Sequence, residues 1–216
     1  MIKAIIFDMN GVIIDDLAIH SFAFSEVLQD FHITIPLKEY LKEFAGKTDR
    51  AGFEDVGERF SIELPVDELL ANKGEAYLRL FSQHKKRYPG VIELIKKLSK
   101  NYVLALASSA TRAEVDLITK EFGIDSYFKV AVSAEDVSEG KPNPEPYLKT
   151  ASLLKVSPDE CVVIEDSIDG VVAAKSAGCF CIRVATTHPK DLITKADRTV
   201  DSFEEISGVI ERIHTD

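Results

Sequence analysis

Asp8, Ser108, Ser109, Lys141, Glu165 and Asp166 are scattered along the chain, but together they could move a phosphoryl group. Asp8 and Asp166 offer hard carboxylate oxygens, the donors that Mg2+ takes beside water and substrate phosphate. Lys141 would help such a cation neutralise a carboxylate nucleophile and an incoming phosphate dianion, which otherwise repel. Ser108, Ser109 and nearby backbone N–H groups would bind the phosphoryl oxygens. Asp8 can then attack phosphorus and carry the group as an aspartyl-phosphate, a covalent strategy that divides one difficult step into two. Each residue alone has a plainer reading. An Asp at a strand end or a Ser in a turn commonly caps a helix, and a lone lysine is commonly solvated. Glu165-Asp166, directly after the apolar run Val162-Val163-Ile164, is harder to explain without a cation, because adjacent acids repel.

These residues can act together only if the elements before them end at one place. Short apolar runs read as strands at residues 3–7, 102–107, 130–133, 161–165 and 180–184, with a short sixth at 198–200. Several are near-continuous Val, Ile, Leu and Ala, as parallel strands covered on both faces require. Helical patterns at 91–99, 112–122, 144–154 and 168–177 alternate with them. Pro89-Gly90 precedes the first, Asn143-Pro144 supplies an N-cap and N1 for the third, and Gly178 closes the fourth. The expectation is an α/β fold with right-handed crossovers, a Rossmann-like doubly wound parallel sheet. All the candidate residues then follow strands at the carboxyl edge, where such sheets bind ligands. Gly11 lets the backbone turn away directly after Asp8. Thr186-Thr187-His188 follows the fifth strand at the same edge and reads either as a simple turn or as an approach to the site.

Residues 16–84 break the alternation. They contain no convincing strand and read as amphipathic helices at 17–31, 37–44, 50–60 and 66–83, punctuated by Pro36 and Pro65. An all-helical cap domain at 16–84, inserted into a core of 1–15 and 85–216, is expected. Such a lid excludes water and selects substrate. The basic run Lys85-Lys86-Arg87 reads as a solvated hinge at the junction.

The formal charge of −10, from 26 basic and 36 acidic residues, argues against nucleic acid or an anionic membrane as partner. It leaves a small phosphorylated metabolite open, since local donors and a cation outweigh the global field. Cys161, Cys179 and Cys181 are an odd set, which is no disulfide framework, and they read as core packing. No stretch approaches the ~18 apolar residues of a membrane span, and the N-terminus lacks signal-peptide features. A monomeric cytoplasmic protein is expected.

Four motifs occur in order over essentially the whole chain: Phe7-Asp8-Met9-Asn10-Gly11-Val12, Leu106-Ala107-Ser108-Ser109, Gly140-Lys141-Pro142-Asn143-Pro144, and Ile164-Glu165-Asp166-Ser167-Ile168-Asp169-Gly170. On these the sequence resembles the haloacid dehalogenase-like superfamily, within it the β-phosphoglucomutase-like group with a helical cap. The resemblance implies a Rossmann-like core, Mg2+ dependence and Asp8 as nucleophile. It implies Ser108 and Lys141 as phosphate binders, and Asp166 with Glu165 at the metal, joined by a backbone carbonyl at position 10.

The match breaks at Asn10, where the resembling enzymes carry the Asp that moves protons. An amide does not exchange a proton usefully near neutral pH, and general acid–base catalysis is typically worth about 10²–10⁴-fold. A slow enzyme is therefore expected unless another group, with His20 the candidate, takes over. An introduced Asp-to-Asn change, a different proton carrier, and ligand binding without turnover all stay open. The resembling mutases hold a second phosphate with a basic pair spaced around a glycine in the cap. Aligned on Gly46, that pair becomes Ala45 and Asp49, with Lys47 and Arg50 nearby. One phosphate rather than two is expected, which favours a phosphomonoester hydrolase over a hexose-phosphate mutase, with Lys47 as a possible substrate contact.

Overall fold

The computed structural model describes residues 1–44, 47–188 and 195–213. The chain divides into two compact units, Met1–Ile14 with Arg87–Asp216, and Asp15–Lys86.

The first unit is built on a sheet of β1 (Ala4–Phe7), β2 (Val103–Ala107), β3 (Phe128–Val132), β4 (Cys161–Glu165), β5 (Phe180–Val184) and β6 (Arg198–Val200). All pairings are parallel, in the order β3-β2-β1-β4-β5-β6. The connections run outward from β1 to β3, then return to β4 on the other side of β1. The strand order therefore reverses between β1 and β4, the position at which doubly wound sheets open a crevice. The helices of this unit are α5 (Val91–Leu98), α6 (Arg112–Glu121), α7 (Glu145–Leu154), α8 (Ile168–Ser176) and α9 (Phe203–Ile213).

Strand side chains alternate between faces, and here both faces are buried. Ala4, Ile6, Ala105, Ala107 and Val163 pack with Tyr147 and Ala151 of α7 and with Val171, Ala173 and Ala174 of α8. Cys161, Cys179 and Cys181 fill the same cluster as free, buried thiols. Ile5, Phe7, Leu104, Leu106, Val162 and Ile164 alternate with these and are equally buried. Each such side chain contributes about 1.5–3 kcal/mol. β3 starts two residues before the expected position because Phe128 packs edge-on against Phe7, with ring centroids 5.9 Å apart. α7 starts one residue later than the expected cap, with Pro144 at the cap position, and Asn143 Oδ1 accepts from Glu145 N at 2.9 Å just before it; Gly178 takes a left-handed φ of 87° after α8.

The second unit consists of α1 (Leu17–Val27), α2 (Leu37–Glu43), α3 (Asp49–Phe60) and α4 (Val66–His84). Pro36 and Pro65 stand immediately before α2 and α4, where a missing N–H goes unmissed. Phe24, Leu28, Tyr40, Phe44, Phe53, Val56 and Leu69 form the core, and Phe24 stacks on Phe53 at 4.4 Å. A side chain at Gly52 would come within 3.2 Å of the Phe24 ring, so glycine permits this packing. α1 is shorter than the expected 17–31. A turn at Gln29–Phe31 ends it, His32 adopts φ 58°, and Leu28 O accepts from both Phe31 N and Ile33 N. Among the described residues, no helix is long and apolar enough to cross a membrane.

Candidate active site

The switch point brings the candidate acids together. β1 and β4 pair in register Phe7↔Ile164, and Asp8 N donates to Ile164 O at 2.9 Å, so Asp8 lies beside Glu165 and Asp166. β2, on the other flank of β1, delivers Ser108. Lys141 arrives on the loop after β3, and its Nζ donates to Asp8 Oδ1 and Glu165 Oε1, both at 2.6 Å. Asp8, Ser108, Lys141, Glu165 and Asp166 are all buried.

Glu165 is saturated. Oε1 accepts from Lys141 and from Tyr147 OH at 2.7 Å, while Oε2 accepts from Asp166 N, Ser167 N and Ser167 Oγ at 2.8, 3.0 and 3.1 Å. Gly170 makes room for it, since a Cβ there would sit 1.8 Å from Oε1. Tyr147 also lies under the ammonium, with Nζ 5.1 Å from its ring centroid. Sequence reading missed Tyr147 in this role. Its one signal is that a tyrosine on the apolar face of a helix needs a polar partner for its hydroxyl.

Burial pushes Asp8 up to about 7; Lys141 pulls it down less strongly, and Glu165 adds repulsion. Burial raises Asp166 well above the usual carboxylate range, helped by repulsion from Glu165 and Asp8. Burial acts the same way on Glu165, but the Lys141 ammonium, the Ser167 N–H and the Tyr147 hydroxyl together outweigh it and hold that carboxyl low. Burial also opposes the charge on Lys141, and Asp8 and Glu165 reverse this, so its pKa is raised and it stays an ammonium.

A hard divalent cation fits this set. Asp8, Glu165 and Asp166 each offer a carboxylate oxygen, and these atoms lie within 4.8 Å of one another. When all three are ionised, three carboxylates share one ammonium, and a cation would offset the excess negative charge that burial otherwise opposes. Among the described residues, Asp166 Oδ1 is buried without a hydrogen-bond partner, a costly state for a polar atom unless something accepts its electrons. Because Glu165 is filled by protein donors, Asp8 and Asp166 are the carboxylates with capacity for a cation.

Asn10 lies half-buried in a tight loop in which Val12, Ile13 and Ile14 all donate N–H to Met9 O. Its Oδ1 accepts from Ser108 Oγ at 3.3 Å, and Ser108 Oγ accepts from Ala110 N at 3.1 Å. Ser109 is half-buried in the turn before α6. The turn after β5 does approach the site, settling an alternative the sequence left open. Thr187 Oγ1 donates to Asp166 Oδ2 at 2.5 Å, and Thr186 Oγ1 donates to Gly11 O at 2.6 Å.

His20 and Lys47 belong to the helical unit. His20 is buried rather than on a helix surface. Its Nδ1 lies 2.6 Å from Lys73 Nζ, its Nε2 lies 3.3 Å from Asp16 Oδ2, and its ring stacks on Tyr77. Lys73, itself buried, also bonds Asp49 at 2.6 Å. Lys47 pairs with Asp55 at 2.7 Å and Arg50 with Asp67 at 2.5 Å. Ala45 and Gly46, on which the expected loss of the mutases' basic pair partly rests, lie outside the described residues. Lys85, Lys86 and Arg87 are exposed, with Lys86 pairing Asp15.

The family model described as haloacid dehalogenase-like hydrolase matches residues 5–184. A phosphorylated carbohydrates phosphatase of Thermotoga maritima is 35% identical over 178 residues, covering 82% of each chain. The β-phosphoglucomutase of Bacillus subtilis is 30% identical over 217 residues, covering 94% of each. The crystal structure of a β-phosphoglucomutase from Clostridium difficile is similar over 100% of both chains, with a TM-score of 0.88 and 26% identity.

Proposed function

This chain belongs to the haloacid dehalogenase-like hydrolase family, and we propose that it is a Mg2+-dependent phosphatase that hydrolyses a small sugar or polyol monophosphate through a phosphorylated Asp8. Asp8 carries this reading. It ends β1, takes the buried ammonium of Lys141 at 2.6 Å, and shares a carboxylate cluster with Asp166.

Asp8, Asp166 and the backbone carbonyl of Asn10 would hold Mg2+, which when bound supplies positive charge against the nucleophile and the phosphate. Lys141 adds its own charge and orients Asp8. Ser108 and the N–H groups of its turn bind the phosphoryl oxygens. Asp8 attacks phosphorus, a bond from its carboxylate oxygen forms, and the bond to the alcohol oxygen breaks. Water then attacks the acyl-phosphate, releasing inorganic phosphate and restoring Asp8. Glu165 steers Lys141 and the start of α8. The alcohol oxygen must gain a proton and the water must lose one, and the Asn10 amide does neither near neutral pH, so turnover is slow.

The described cap cations near position 47 are engaged by cap carboxylates: Lys47 by Asp55, Arg50 by Asp67 and Lys73 by Asp49. That supports a substrate with one phosphate. Similarity to β-phosphoglucomutase keeps a hexose-phosphate mutase as second reading. The test is phosphate release from a panel of sugar and polyol monophosphates, with Mg2+ and with chelator, for the parent and Asp8→Asn. Release that needs Mg2+ and Asp8, with a phosphoryl mass gain on the Asp8 peptide, is expected. Isomerised hexose phosphate without release would favour the mutase, and turnover indifferent to Asp8→Asn would refute both.

A further inference from the structure

Thr186 and Thr187 are both half-buried, and their segment is tied down from inside. Arg183 is fully buried, donates Nη2 to His188 O, and reaches Asp166 O with Nε at 3.5 Å. From that anchor the two hydroxyls grip both walls of the crevice, Thr186 at Gly11 O and Thr187 at Asp166 Oδ2. Gly11 closes the box on the other side: a Cβ there would fall 2.1 Å from Asp166 Oδ2. Oδ2 is thus held by a hydroxyl and packed against backbone, while Oδ1 is buried with no donor among the described residues.

We propose that Thr187 is a positioning residue for the cation: its hydroxyl occupies Asp166 Oδ2 and fixes the carboxylate so that Oδ1 is left for Mg2+. This rests on the metal site proposed above. A carboxylate free to rotate would spread its charge over several orientations and lose conformational freedom on binding. Hydrogen-bonded partners of metal-ligating groups typically change affinity by about 10–100-fold when removed.

The test is calorimetric titration of the full chain with MgCl2 alone, beside the Mg2+-dependent shift of the thermal midpoint. Parent, Thr187→Val, Thr187→Ser and Asp166→Asn are compared. Thr187→Val keeps the shape without the hydroxyl and is expected to weaken Mg2+ binding by about 10–100-fold. Thr187→Ser is expected to restore most of that loss, and Asp166→Asn to abolish binding. If Thr187→Val binds Mg2+ as tightly as the parent while Asp166→Asn does not bind, the role of Thr187 is overturned and the metal site stands. If Val and Ser weaken binding equally, the hydroxyl is not the cause and the proposal falls. If Asp166→Asn binds as the parent does, the metal site fails together with the proposal.

Discussion

Asn10 meets Ser108 through a side-chain oxygen that a carboxylate would present equally well. An Asp at position 10 would keep that acceptor and add a group that exchanges a proton. Asn10→Asp is expected to raise the rate of phosphate release by about 10²–10⁴-fold, or roughly 3–5 kcal/mol of barrier. Steady-state assays on the same monophosphate panel measure it, and an unchanged rate would mean another group already carries the proton. Asp8, Lys141 and Asp166 could be read from the sequence because each follows an apolar strand. The filling of Glu165 could not. It depends on Tyr147 of α7 and on the missing Cβ of Gly170 of α8, two helices packed on the same face of the sheet. Thr187 was equally opaque, since a turn of two threonines looks the same in sequence whether or not an acid lies opposite.

At the level of elements, parallel strands and helix starts position the site, and two places show how. Gly170 lies in the first turn of α8, where alanine ordinarily favours a helix by about 1 kcal/mol. A Cβ here would collide with Glu165 Oε1, and α8 is pinned by Ser167, which caps it through Gly170 N at 3.0 Å. Gly170→Ala is therefore expected to destabilise, by about 1–3 kcal/mol as for overpacked sites, and to cut turnover by displacing Lys141. Urea unfolding and phosphate release test this, and a more stable, fully active variant would show that α8 shifts freely. The loop bearing Lys141 is held from its far side by Glu145 at the start of α7, which accepts from Ser138 N at 2.8 Å and Glu139 N at 2.9 Å. These two backbone donors lower its pKa. A carboxyl that is more acidic when folded contributes stability above its unfolded pKa, near 4.3, and loses it as pH falls through the lowered folded value. The stability difference between the parent and Glu145→Gln should be present at neutral pH and disappear on acidification below that range, as read from urea midpoints against pH. Strand and helix order were visible in sequence because short, near-continuous apolar runs alternate with stretches of helical period. The end of α1 and the start of β3 were not, because a carbonyl shared at Leu28 and a ring contact to Phe7 set them.

Across the whole molecule, the polar groups assigned to phosphoryl transfer all belong to the unit of Met1–Ile14 and Arg87–Asp216. That unit has its own buried cluster on β1, β2, β4, α7 and α8, while the helical unit closes a separate core around Phe24 and Phe53. Within the first unit the chain leaves and returns at adjacent points: Ile14 and Arg87 form an antiparallel bridge, and Tyr88 N donates to Ile13 O at 3.2 Å. An antiparallel pair is closed by a two-residue turn such as Asn-Gly. A chain in which that turn replaces residues 15–86 is therefore expected to fold cooperatively, because neither the sheet register nor the carboxylate cluster draws on the removed segment. It should also keep its response to the cation. Mg2+ at a hundredfold excess over its Kd stabilises a binding-competent fold by about 2.7 kcal/mol, so its urea midpoint should rise with MgCl2 and fall back with chelator. If the helical unit selects substrate, the shortened chain should lose discrimination among the monophosphate panel. A broad, non-cooperative transition would show that the core needs its insertion to fold. A cooperative transition insensitive to MgCl2 would show that residues of the helical unit take part in holding the metal.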